Sequence, residues 1–173
     1  GLTITATPNK GYRVASVEKN NVKETYATND KLSKETISKV EKDYKSVIKF
    51  EINQYDIKAK SDDNGTVKVT EGNSKVDYHA EANIEIKPNC GYKIKSVVYS
   101  LGNGSWQKIN ITDMRDDEKK LFEYTEGNDV SYLKIKEVKY NYEFKVSFEK
   151  AGTDNNVSID SVLSKNNLVT SYK

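Results

Sequence analysis

Pro8-Asn9-Lys10-Gly11-Tyr12-Arg13-Val14-Ala15-Ser16-Val17 returns 80 residues later (88 − 8) as Pro88-Asn89-Cys90-Gly91-Tyr92-Lys93-Ile94-Lys95-Ser96-Val97. A block preserved at that spacing marks an internal duplication. Leu2–Thr7 and Ala82–Lys87 precede the two copies, and both alternate apolar and polar residues, as a half-buried strand does. Proline fixes φ and removes a donor, so each strand ends there. Glycine two residues after asparagine supplies the positive φ of a tight turn. Tyr12-Arg13-Val14 and Tyr92-Lys93-Ile94 then open a second strand. Each block predicts a β-hairpin, over residues 2–17 and 82–98.

The copies also echo at their ends. Gln54-Tyr55-Asp56-Ile57-Lys58-Ala59 aligns with Asn141-Tyr142-Glu143-Phe144-Lys145-Val146, at an offset of 87 (142 − 55). On that alignment the second copy is about seven residues longer (87 − 80) in its middle. Tyr142, Phe144, Val146 and Phe148 alternate with Glu143, Lys145, Ser147 and Glu149, the clearest strand signal in the chain. Ser61-Asp62-Asp63-Asn64-Gly65 is a run of turn formers and the candidate boundary. The reading divides the chain into a first, incomplete module (1–61), a second module (62–151) with a variable insert (99–131), and a linker and tail (152–173). Ile37, Val40 and Tyr44 fall at helical spacing behind Asp30 and Ser33, which predicts a short helix to about Asp43. The rival reading is a strand using Val40, Tyr44, Ile48, Phe50 and Ile52; with the segment split, a strand is expected from about Val47 to Ile52. The fold class is mainly β with some α+β character: two tandem small antiparallel β modules, a short helix inserted in the first, and a C-terminal tail.

The second copy carries Val67-Lys68-Val69, Pro88-Asn89-Cys90-Gly91-Tyr92, Ser96-Val97 and Val146-Ser147-Phe148-Glu149-Lys150. In that order they resemble the divergent internalin-B B-repeat family, small β modules strung along Gram-positive surface proteins. The first copy matches from Leu2 to Lys60, lacks the opening strand, and ends Ala59-Lys60 where the family prefers a large apolar residue. The resemblance implies an extracellular or cell-surface setting, and a chain that opens mid-repeat is expected to be a fragment of a larger protein. It carries over no catalytic residues, because the family is defined by structure.

Composition narrows the function. Apolar residues make up 35% and charged residues 31% of 173, which suits thin-cored β modules with large surfaces. The net charge is +2 with interleaved signs, so nucleic acid is not the expected partner. No apolar run approaches the length of a membrane span, and no signal peptide is present. The one cysteine, Cys90, answers Lys10 in the other copy, which places it exposed in the turn. His79 is the sole histidine, with no nucleophile elbow, P-loop or His-Glu-x-x-His, so no enzyme activity and no cofactor is expected. Asp62 and Asp63 are adjacent, unlike the alternating ligands of a calcium loop, so no metal is assigned. Asp113, Asp116, Asp117 and Glu118 read as the solvated start of a helix, with calcium as a minor alternative.

The expected function is that of a non-enzymatic binding module engaging a host protein, with immunoglobulin as the boldest specific candidate. A structural spacer of a surface adhesin and a carbohydrate-binding accessory module are the alternatives. Specificity resides in loops on a rigid scaffold. The candidate contact residues are therefore Trp106 in the insert, and Val162, Leu163, Leu168, Val169 and Tyr172 in the tail. Trp106 has a rival reading, folded over the open end of its module.

Overall fold

A computed structural model describes residues 1–25, 33–37, 39, 42–70, 75–102 and 104–152. The protein is mainly β, with one short helix among the described residues. The first copy contributes β1 (Leu2–Ala6), β2 (Tyr12–Lys19), β3 (Val22–Thr25), β4 (Ser33–Ile37) and β5 (Ser46–Ile52). Then follow β6 (Gln54–Ser61), β7 (Gly65–Val69), β8 (Lys75–Asp77), β9 (Ala82–Pro88), β10 (Tyr92–Leu101) and β11 (Gln107–Ile109). Helix α1 (Asp116–Leu121), β12 (Phe122–Thr125), β13 (Ser131–Ile135) and β14 (Tyr142–Lys150) complete the second copy.

The Pro-Asn-x-Gly turns form as expected. Tyr12 N–H donates to Asn9 O at 2.9 Å and Tyr92 N–H to Asn89 O at 3.0 Å. Gly11 and Gly91 hold φ of +83° and +79°, a conformation glycine reaches without a Cβ penalty. The predicted hairpins do not form. β1 pairs β4 while β2 pairs β3 and β5, and β9 pairs β7 and β13 while β10 pairs β11 and β14. Each turn is a corner between two sheets. The apolar faces of consecutive strands thereby face each other across a core rather than lying side by side on one sheet.

In the second copy the layers are β12-β13-β9-β7 and β11-β10-β14-β6-β8. Between them lie Ile84, Ile86, Leu133, Ile135 and Phe122 from one sheet, and Val97, Tyr99, Tyr142, Phe144, Val146 and Phe148 from the other. The strict alternation of β14 appears as predicted, with all four apolar side chains buried. Phe122 meets Tyr99 edge-on, with ring centroids 4.9 Å apart, and Tyr142 stacks on Phe144 at 5.8 Å. The first copy repeats the plan with β1-β4 and β3-β2-β5 over a thin core of Ala6, Val14 and Val17.

The pairings correct the alignment of the copies. Tyr12 faces Ile52 and Tyr92 faces Lys150, and both ladders slip at the same place, between Val14 and Ser16 and between Ile94 and Ser96. The Arg13–Glu51 ion pair (2.8 Å) returns as Lys93–Glu149 (3.5 Å). Asn53 N–H donates to Gly11 O, and Ala151 N–H to Gly91 O. The counterpart of β14 is therefore β5, at an offset of 98 (148 − 50), and Phe148-Glu149 answers Phe50-Glu51. The second copy is longer by 18 residues (98 − 80), not seven. The pairing of Gln54–Ala59 with Asn141–Val146 is not one of equivalence. The two strands lie side by side, parallel, with Ile57 opposite Tyr142.

β6, expected to close the first module, thus belongs to the sheet of the second and crosses the division placed at 61/62. The helix expected to about Asp43 is also corrected. Ser33–Ile37 is a strand, in register with β1 from Leu2↔Ile37 to Ala6↔Ser33. Spacings of three and four suit a helix, but β-branched Thr36 and Ile37 suit a strand, and the ladder along β1 decides. The rival strand positions Tyr44 and Ile48 are split, Ile48 lying in β5 and Tyr44 before it; Val40 lies outside the described residues. His79 lies in a turn, at φ +65°, with its ring stacked on Tyr78 at 4.0 Å.

Candidate functional site

The insert of the second copy supplies β11, α1 and β12, and so adds an edge strand to each sheet. Its anchor is Glu118, which is 2% exposed, in contrast to the solvated acid expected there. The Glu118 carboxylate accepts Arg115 N–H at 2.8 Å and Asn110 N–H at 3.4 Å, with the Arg115 guanidinium also at 3.4 Å. One side chain thereby closes the loop between β11 and α1 by giving its backbone donors a charged partner. The Tyr99 hydroxyl donates to Gln107 Oε1 at 2.8 Å, tying β11 to β10. Burial pushes the Tyr99 phenol up, and the nearby Glu118 and Asp117 charges add to this.

Trp106 stands at the entry to β11 and is 40% exposed, with its ring under Lys145 Nζ, 3.8 Å from the centroid. Trp106 is thus among the exposed large apolar side chains. The register places Lys108 opposite Val98, Val98 opposite Lys145, and Lys145 opposite Lys60. These residues share the outer face of the five-stranded sheet, because partners across a ladder point the same way. All three lysines are exposed, and Lys60 reaches Glu143 at 3.6 Å. The face joins a large aromatic plane to a row of ammonium groups. An aromatic plane beside ammonium groups offers the chemistry that holds carboxylates next to apolar groups.

Of the candidate contact residues, only Trp106 falls among the described ones. Val162, Leu163, Leu168, Val169 and Tyr172 lie outside them. The lysine row escapes a reading of the sequence because it draws on three strands far apart in the chain. The one signal was Lys145 at an outward position of the alternating strand. Cys90 is exposed, as expected. Asp62 serves the turn: its carboxylate accepts Asn64 N–H at 3.0 Å and Phe148 N–H at 2.9 Å.

The aromatic core gives a pH dependence. Burial pushes the Tyr142 phenol up to about 12, against about 10 for an unfolded tyrosine. The fold favours the protonated form, so this contribution is fully present below pH about 10 and is lost as the pH rises toward 12. Melts between these limits should fall more steeply than in Tyr142→Phe, with tyrosinate absorbance rising as the fold is lost. A Tyr142→Phe chain with an identical alkaline profile would remove Tyr142 as the cause.

No protein-family model, curated protein or solved structure matches this chain.

Proposed function

We propose that this chain is a non-enzymatic binding module of a bacterial cell-surface protein and engages a host protein. The observation that carries the reading is Trp106, half open at the entry to β11 in the variable insert and backed by Lys145 in the row Lys108–Lys145–Lys60. The copies differ most in this insert, and a scaffold that varies there keeps its specificity there. The cell-surface setting follows from the repeat resemblance. Immunoglobulin is the specific candidate, by analogy with repeat-built surface proteins. Titration of the full chain onto immobilised immunoglobulin should saturate and weaken as salt rises. Trp106→Ala should weaken binding about 30-fold or more, the loss of a 2 kcal/mol anchor. Its stability cost should be only about 0.5–1 kcal/mol, the size of an exposed cation–π contact. Absence of binding to immunoglobulin and to whole serum would sink the reading.

A structural spacer is the second reading, favoured by the junction between the copies. Tyr78 N–H donates to Asn53 O at 2.8 Å, and Asn53 N–H to Gly11 O at 2.7 Å. The Tyr78 ring covers Gly11, and β6 runs on from the first copy into the sheet of the second. A stiff joint suits a stalk, in which each unit rests on its neighbour. Serum capture that leaves Trp106→Ala and the parent chain equally empty would favour the spacer.

A further inference from the structure

The two copies share one plan, but β6, β7, β8 and β12 of the second have no equivalent among the described residues of the first, and β6 and β7 form an arch. β6 adds parallel to β14, β7 adds antiparallel to β9, and residues 62–64 arch between the sheets. Among the described residues, the matching flanks of β5 and β1 are edges. The exposures follow. Phe148 is 5% exposed and its counterpart Phe50 is 47%, while Ala82 is 4% and its counterpart Leu2 is 48%. Phe50, Tyr12, Thr7 and Asn9 line a cavity of about 260 Å³. In the second copy the same place is filled. A Cβ on Gly65 would lie 2.4 Å from the Phe148 ring and 2.8 Å from Lys87 O, and Lys87 answers Thr7.

We propose that the open flank of the first copy takes up a strand–turn–strand arch of the β6–β7 type, donated by a further repeat unit of this design. The first strand adds parallel to β5 over Ser46–Ile48, the positions that answer Phe144–Val146. The turn carboxylate then receives Phe50 N–H, as Asp62 receives Phe148 N–H at 2.9 Å in the second copy. The glycine that opens the second strand enters the cavity between Phe50 and Thr7, and the strand pairs with β1. Recognition is by main-chain ladders on both edges, with specificity from one pocket that admits only glycine. This is a different surface from the Trp106 face and does not depend on it.

The test uses the full chain with residues 54–81 joined directly ahead of Leu2, as they stand ahead of Ala82. Hydrogen exchange at the Phe50 amide should slow by more than about tenfold, the change that about 1.4 kcal/mol of local stability produces. The same graft carrying Gly65→Val in the added segment should give no protection. Unchanged exchange on grafting would overturn the proposal, and so would equal protection by the valine graft. Sedimentation of the ungrafted chain should show a monomer. A dimer dispersed by Phe50→Asp would assign the flank to a second copy and overturn the donor named here.

Discussion

Gly11→Ala should destabilise the chain by about 2–5 kcal/mol, whereas Gly91→Ala should cost about 1–2 kcal/mol. The two glycines occupy the same step of the repeated turn, at φ +83° and +79°, so the backbone penalty is common to both. Their surroundings differ. A Cβ on Gly11 would lie 2.0 Å from Tyr78 Cδ1 and 2.7 Å from Tyr78 Cγ, while one on Gly91 meets nothing within 4 Å. The Tyr78 ring cannot swing aside freely, since it stacks on His79 and its centroid is 6.4 Å from that of Tyr55. The change at Gly11 therefore wedges apart the joint between the copies. Urea unfolding of both variants measures the difference, and a double-mutant cycle with Tyr78→Ala assigns it. Equal costs at the two glycines would mean that the joint contributes nothing to stability.

Phe148→Ala should cost about 3–5 kcal/mol, and Phe50→Ala less than about 1 kcal/mol. The residues are equivalent in the repeat and end the same Phe-Glu strand. Phe148 lies in the core, in contact with Gly65 under the β6–β7 arch. Phe50 faces the open cavity, so its removal leaves little void to fill. Chemical denaturation of the two variants decides the matter. A cost at Phe50 as large as at Phe148 would show that the first copy is closed over Phe50 in solution. Grafting residues 54–81 ahead of Leu2 should raise the Phe50→Ala cost toward that of Phe148→Ala.

The candidate site was legible in one residue. Trp106 announced itself as the single tryptophan after a glycine-rich turn, and it is exposed. The lysines that accompany it come together only through the register of β11, β10, β14 and β6. Glu118 looked like one more surface acid in an acidic run. Only the closure of the insert reveals that its carboxylate is buried and holds backbone donors. Acidic letters at a helix start read alike whether the loop folds over them or not.

The repeat, the strands and the turns belong to the sequence itself. Alternation with period two states which face of a strand is buried, and Pro-Asn-x-Gly states where the chain must turn with positive φ. Both are local properties, set by the residues on either side. Which strand pairs with which is not local. Alternation looks the same whether the buried face lies beside its neighbour in a hairpin or opposite it across a sandwich. So the corner in place of the hairpin, β5 rather than β6 as the partner in the repeat, and the passage of β6 into the second sheet were decided by the tertiary structure. The physical reason is that edges and apolar faces are satisfied by distant strands. Their free energy depends on what covers them, as Phe148 and Phe50 demonstrate from one motif in two surroundings.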